Sequence, residues 1–162
     1  MIDLLKGSTF EEYLEQLKLN YGDEQLKIYN STKLSSNTKK SLQGLTSTVN
    51  VAIFSEGHCP DCMVTLPFIK RMAEENINIK LYIFPRTGHE DFLEKYTGDA
   101  RIPTIMTFDK AMNPKRAYVE FPKELLHQMS SLNLEGKKSV TNEYRQCEYN
   151  SLIEEELLEI VL

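Results

Sequence analysis

Residues 49–62 read Val-Asn-Val-Ala-Ile-Phe-Ser-Glu-Gly-His-Cys-Pro-Asp-Cys, and two periodicities meet inside them. Val49 to Ser55 is a short β-branched run without charge, the pattern of a buried strand. Gly57 breaks it. Pro60 suits the first position of a helix, where its fixed φ fits and its missing N–H is not needed. Helical spacing then takes over: Cys62, Leu66, Ile69 and Ala73 lie on one stripe, flanked by Met63 and Met72. Pro67 falls inside that helix, cannot donate to the carbonyl of Met63, and is expected to kink it. Two cysteines separated by two residues therefore stand where a strand turns into a helix.

That placement carries chemistry. The first turn of a helix offers free amides and the positive end of the dipole. With Cys59 at the cap, the amides of Asp61 and Cys62 can reach its sulfur. They would favour the thiolate, the nucleophile of thiol–disulfide exchange. Cys62 lies one turn inward, placed to attack a mixed disulfide and release the product. Two other readings stand beside this one: cysteines that merely pack, and a metal site. Zinc takes about four ligands, and no second close pair exists. Cys147, His58, His89 and His127 are scattered singles. Neither a metal nor a bound cofactor is expected.

Outward from this point, Phe10, Tyr13, Leu14, Leu17 and Tyr21 trace one helix face, and Ser8 with Glu11 fits a capping box near Thr9. A second helix is expected from Asp23 to about Lys33. Leu34 to Lys40 reads as a loop or a helix start, with Asn37 as a cap. Ile77, Ile79, Leu81 and Ile83 alternate toward Phe84 as a second strand. Glu90 to Tyr96 reads as a short helix stopped by Gly98. Ile102 to Phe108 reads as a third strand opened by Pro103. Lys115 to Phe121 is a fourth, reached through the turn Asp109 to Pro114. A helix begins at Lys123. The stretch Thr141 to Leu162 reads as helical, with Tyr149, Leu152, Ile153, Leu157, Ile160 and Val161 to dock on the core or on a partner. The fold class is α/β, in the order β-α-β-α-β-β-α: a central mixed four-stranded sheet flanked by helices. Its first two strands should be parallel and its last two an antiparallel hairpin. Residues 1–48 form a helical N-terminal segment, 49–131 the redox core, and 132–162 a helical C-terminal extension.

The run Cys59-Pro60-Asp61-Cys62 after a strand, Pro67 five residues past the second cysteine, and Ile102-Pro103-Thr104 about forty residues on resemble the thioredoxin superfamily. The likeness covers roughly Thr48 to Ser131. The helical N-terminus, the Cys-Pro-Asp-Cys motif and Glu120-Phe121-Pro122 are more similar to a bacterial thioredoxin-like family in which a helical segment precedes the redox core. The resemblance implies a cis bond before Pro103 and places Pro103 against the two sulfurs. Thr104 and the backbone of Ile102 would flank them, and that backbone would pair with an extended substrate chain.

Three departures from the thioredoxin pattern bear on chemistry. His58 stands where thioredoxins usually have Trp; it is either a solvent-exposed loop residue or a cation that favours the Cys59 thiolate at low pH. Ile53 stands where thioredoxins bury an acid that moves protons to and from the second cysteine. Asp61 puts an anion between the sulfurs. At roughly 7 Å and an effective dielectric near 40 it opposes the thiolate by about 1 kcal/mol, under one pKa unit. The helix start pulls the other way with similar or larger force. A modestly lowered pKa follows, which favours a reductant.

Arg101, just before Ile102, is a weaker candidate for attracting an acidic substrate such as a glutathione-like thiol. Arg86, His89, Glu90 and Asp91 read as a solvated charge cluster, and Cys147 as a lone thiol on the tail. The whole chain of 162 residues carries 41% hydrophobic and 27% charged residues and a net charge of −5, which excludes a disordered chain and disfavours nucleic acid. No apolar run approaches the roughly 20 residues of a membrane helix. Met1 to Phe10 lacks the apolar centre of a signal peptide. The expected setting is the cytoplasm, with no membrane and no nucleic acid partner. The expected activity is thiol–disulfide exchange on a protein or small-molecule disulfide, with electrons from a partner reductase or a low-molecular-weight thiol. The alternative is a binding module whose helical extensions recognise a partner protein, with redox chemistry incidental.

Overall fold

In the computed structural model, which describes residues 1–162, the uncharged run forms strand β1 (Val49–Phe54) inside a four-stranded sheet. Strand β2 (Ile79–Phe84) pairs parallel on one side of it, and β3 (Thr104–Phe108) antiparallel on the other. Strand β4 (Pro114–Val119) completes the order β2-β1-β3-β4 as the hairpin partner of β3. Both faces of β1 are covered, so Val51 to Phe54 are all buried and a charge there would lack a partner. Val51, Ile53, Ile83, Ile105 and Tyr118 face the larger core. Ala52, Phe54, Phe84, Met106 and Phe108 face a smaller one, closed by Leu4 and Leu93.

Eight helices surround this sheet: α1 (Phe10–Leu17), α2 (Gly22–Ser31), α3 (Ser36–Gln43), α4 (Pro60–Glu75), α5 (Glu90–Thr97), α6 (Lys123–Ser130), α7 (Leu134–Arg145) and α8 (Asn150–Val161). The larger core unites Phe10, Tyr13 and Leu42 of the first helices with Leu66 and Ile69 of α4 and with Tyr144, Ile153, Leu157 and Ile160 of the last two. The apolar stripe of the C-terminal extension is thus buried on this chain's own core.

Several local details differ from expectation. The capping box belongs to Thr9 and Glu12. Thr9 Oγ1 accepts the Glu12 amide at 3.1 Å, and the Glu12 carboxylate accepts the Thr9 amide at 2.8 Å. Ser8 instead exchanges two backbone hydrogen bonds with Ile83 (2.8 and 2.9 Å), covering part of the free edge of β2. Ser35, rather than Asn37, caps α3. Ile77 is 80% exposed and lies outside β2. The turn before that strand is tied instead by Asn76, whose Nδ2 donates to the carbonyls of Leu42 and Leu45. The C-terminal stretch is two helices broken at Gln146–Tyr149, with Cys147 in the left-handed region (φ 66°). Helix α4 runs on through Pro67. The Met63 carbonyl that Pro67 cannot serve accepts Nε2 of the buried Gln25 at 3.0 Å. His89 does more than face solvent. Its ring packs edge-on against Phe54 and Phe84, and its Nδ1 lies 2.9 Å from the Pro85 carbonyl.

Candidate active site

Cys59 caps α4, and its sulfur accepts the backbone N–H of Cys62 at 3.2 Å. Pro60 follows at the first helical position, so no orphan amide is wasted there. Gly57, two residues earlier, lies against α1. A Cβ at that position would come within 2.4 Å of a Leu17 methyl, so a larger residue there would have to displace the end of that side chain. The two sulfurs are not equivalent. Cys59 keeps 8% of its surface exposed and Cys62 none. The neighbouring Cys62 side chain and the amides of Cys62 and Asp61 hold the Cys59 thiol below its usual range, against burial and the Asp61 charge. Burial, and then Cys59 itself, push Cys62 well up. Cys59 is the thiol prepared to ionise and Cys62 the one kept protonated.

The Ile102-Pro103-Thr104 loop crosses in front of this pair. The Ile102–Pro103 bond is cis, and the Cys59 sulfur lies 3.9 Å from the Ile102 carbonyl. Strand β3 begins only at Thr104, whose hydroxyl donates to the Arg101 carbonyl at 2.8 Å. Strand β4 ends at Val119 because Glu120 turns into the left-handed region (φ 63°). From there its amide donates to the Pro103 carbonyl at 2.8 Å and pins the loop.

The remaining candidates separate. His58 is exposed on the loop before Cys59. Arg101 bonds the carboxylates of Asp99 (2.7 Å) and Glu120 (3.0 Å), so its charge is already answered by two anions. Asp61 is buried and held by the Arg145 guanidinium at the end of α7, through Nε–Oδ1 at 2.9 Å and Nη2–Oδ2 at 3.2 Å. The isolated anion expected between the sulfurs is one half of an ion pair. Arg145 lies near enough to Cys59 for the thiolate to raise its own pKa further. Beside it, the buried Tyr144 hydroxyl bonds Thr65 Oγ1 (2.5 Å) and the Tyr118 hydroxyl (2.8 Å). The Thr65 hydroxyl also donates to the Asp61 carbonyl at 2.9 Å.

Arg145 and Tyr144 are the site residues that sequence reasoning missed, and neither left a signal in the sequence. No group of three or more His, Cys, Asp or Glu side chains is arranged to hold a metal. No helix is long and apolar enough to cross a membrane.

Comparison with known structures agrees with the fold. A crystal structure of a protein of unknown function from Pseudomonas aeruginosa superposes with a TM-score of 0.80 at 20% identity, covering 98% of this chain and 93% of that one. An HIV epitope-scaffold gives a TM-score of 0.80 at 19% identity, covering 98% and 94%. At such identities the likeness speaks for the fold. No curated protein matches the chain. A family model described as thioredoxin matches residues 7–145, which takes in the first helices, the cysteine pair, the cis-proline loop and Arg145, and the chain accordingly belongs to the thioredoxin family.

Proposed function

We propose that this chain is a thiol–disulfide oxidoreductase that reduces protein or small-molecule disulfides. The observation that carries the reading is the asymmetry of the pair. Cys59 is at the helix cap, partly exposed, with its thiolate favoured; Cys62 is sealed behind it with its thiol kept protonated.

The Cys59 thiolate attacks one sulfur of the substrate disulfide. The Cys59–S bond forms, the substrate S–S bond breaks, and the first substrate thiolate leaves and takes a proton. Cys62 then loses its proton and attacks Cys59. The intramolecular disulfide forms, and the second substrate sulfur departs with a proton. Two electrons have moved from the cysteine pair to the substrate. A partner reductase or a low-molecular-weight thiol restores the dithiol. No bound cofactor takes part in this scheme, which suits a reducing compartment such as the cytoplasm. The Ile102 backbone, facing the Cys59 sulfur, is the surface on which an extended substrate would lie.

The alternative of a binding module drew on the apolar stripe of the C-terminal extension. That stripe is buried within the chain, which removes its motive. Trapping tests the proposal. Cys62→Ser should accumulate a mixed disulfide on Cys59 when offered a disulfide substrate, and Cys59→Ser should accumulate none. Preferential alkylation of Cys62 at neutral pH would overturn the assignment.

A further inference from the structure

The loop that carries Cys59 has a second set of neighbours besides the Ile102 carbonyl. Gly57 precedes Cys59 by two residues, which span at most about 7 Å. Against it lie a methyl of Leu17, at the end of α1, and the ring edge of Tyr21, 3.1 Å from where a Cβ on Gly57 would stand. Leu17 is half-buried on the larger core, while Tyr21 keeps 37% of its surface exposed and Leu19, between them in the chain, 95%. Tyr21 is also a poor fit to its place in the chain. It stands at the cap of α2, where Ser, Thr, Asp or Asn would bond a free amide, and its own side chain makes no capping bond. A residue that gives up a local preference while staying exposed is expected where function asks for it.

Charge around this apolar pair has one prevailing sign. Glu56 adjoins Gly57, and Asp23 and Glu24 follow Tyr21 in the first turn of α2. None of the three belongs to an ion pair. Glu56 is held by the amide and hydroxyl of Thr87 (3.1 and 3.3 Å), and Lys18, beside Leu17, is matched by Glu15 at 3.3 Å. An apolar face edged by unmatched carboxylates suits an apolar segment that carries basic residues, and disfavours an acidic disulfide such as that of a glutathione-like thiol.

Resting on the redox reading above, we propose that Leu17 and Tyr21 form a docking surface for protein substrates, with Tyr21 as the specificity-determining residue. The surface receives an apolar side chain within about two residues of the substrate disulfide, in a segment whose lysines or arginines are attracted by Glu56, Asp23 and Glu24. An extended substrate advances about 3.3 Å per residue, so a side chain two positions from a cysteine bonded to Cys59 covers the distance from Cys59 back to Gly57. Among the disulfides that the cysteine pair could reduce, this favours a basic, apolar protein segment over a small molecule. The surface binds substrate and takes part in no bond exchange.

The experiment compares second-order rate constants for reduction of two disulfides by the full-length dithiol at neutral pH, from acid-quenched samples. One is the homodisulfide of a blocked pentapeptide with leucine and lysine on each side of its cysteine. The other is hydroxyethyl disulfide, which has no side chains. Tyr21→Ser should slow the peptide about tenfold, as the loss of one ring contact implies, and leave hydroxyethyl disulfide within about twofold. Tyr21→Leu, which keeps an apolar surface, should hold the peptide rate within about threefold of wild type. Asp23→Asn should slow the peptide about two- to threefold and weaken its dependence on salt. Alkylation of Cys59 against pH should be unmoved in all three. Equal slowing of both disulfides, or a peptide rate untouched by Tyr21→Ser, overturns the inference while the redox reading stands. A wild-type protein that reduces neither disulfide overturns the redox reading itself. A wild-type dimer in sedimentation that Tyr21→Ser dissociates would assign the face to a second copy of the chain and likewise overturn the inference. Should Tyr21→Ser fail to fold, Asp23→Asn, which alters an exposed side chain, carries the test.

Discussion

Replacing Arg145 by Gln isolates the electrostatics of the turn that carries Cys59 and Cys62. In the native fold the Asp61 carboxylate is matched by a guanidinium through two hydrogen bonds (2.9 and 3.2 Å), so Cys59 meets a nearly neutral pair. Removing the cation leaves the anion. One unit charge at roughly 7 Å in an effective dielectric near 40 opposes the Cys59 thiolate by about 1 kcal/mol. That is somewhat under one pKa unit upward, or about 20 mV for a two-electron couple. The direction of the potential change follows from linkage. The thiolate belongs to the reduced protein, so disfavouring it lowers the reduction potential. The difference opens above the wild-type Cys59 pKa, reaches its full value above the raised pKa, and vanishes at acid pH where both proteins are dithiols. Stability should fall by roughly 1–3 kcal/mol, because the Asp61 side chain, only 9% exposed, loses its partner, with the 40% exposure of Arg145 letting water answer part of the loss. Iodoacetamide alkylation against pH measures the Cys59 pKa, and equilibration with a glutathione buffer measures the potential. Asp61→Asn leaves the cation alone and should move both quantities the opposite way; the double variant should return near wild type. Single substitutions that shift the pKa in the same direction, or Arg145→Gln with an unmoved pKa, would refute this electrostatic account.

Three further expectations follow from the packing. Gln25→Leu leaves the Met63 carbonyl unpaired inside α4 and should cost roughly 1–3 kcal/mol in urea unfolding, with the Cys59 pKa unmoved; a loss under about half a kcal/mol would mean that carbonyl finds another donor. Tyr144→Phe breaks the bonds to Thr65 and Tyr118 and should cost a similar roughly 1–3 kcal/mol, with proteolysis appearing first at the Gln146–Tyr149 break; unchanged stability would deny that this network docks α7. Burial raises the pKa of Glu156, whose Oε1 has no partner while Oε2 accepts the Lys123 amide at 2.5 Å. A carboxyl raised by folding contributes stability below its unfolded pKa and loses it as pH rises through the folded one. Glu156→Gln keeps the acceptor and should flatten that decline in urea midpoints measured from acid to neutral pH; an equal decline in both proteins would sink the assignment.

The strands and the cysteine pair were legible because each rests on local rules. A β-branched run without charge needs burial on both faces, and a cap cysteine needs only the helix that Pro60 opens. The capping box shows where local rules tie. Ser8 with Glu11 and Thr9 with Glu12 both fit the pattern, and the choice is made by the backbone of Ser8, which is already engaged with Ile83 on the edge of β2. The break between α7 and α8 had no signal at all. Arg145 to Tyr149 contains neither Gly nor Pro, and the chain turns there because Tyr144 and Arg145 are anchored to α4 while Tyr149 reaches back to Glu143 at 2.7 Å. Asp61 and Arg145 are 84 positions apart, and no spacing rule links them. The field at Cys59 was therefore the part of the site that local reasoning read with one charge missing.

The same distance has a consequence for how the site is built. The central sheet with α4 supplies the two cysteines, the cis-proline loop and the strand that leads into Ser55. It does not supply every group around them. Tyr13 comes from α1 and bonds Ser55; Arg145 comes from α7 and bonds Asp61, two residues past Cys59. Gln25 comes from α2 and completes the helix on which both cysteines are mounted. All three depend on long-range packing into one shared core, which holds Tyr13 and Tyr144 alike. The ion pair makes this dependence sharpest. Its anion is fixed on α4, its cation rides on α7, and α7 is held by Tyr144 through Thr65 and Tyr118. Undocking α7 would withdraw the cation while leaving the anion, which is the electrostatic state of Arg145→Gln reached without mutation. The helical segments outside this core thus reach the cysteine turn most directly through Arg145, whose guanidinium holds Asp61.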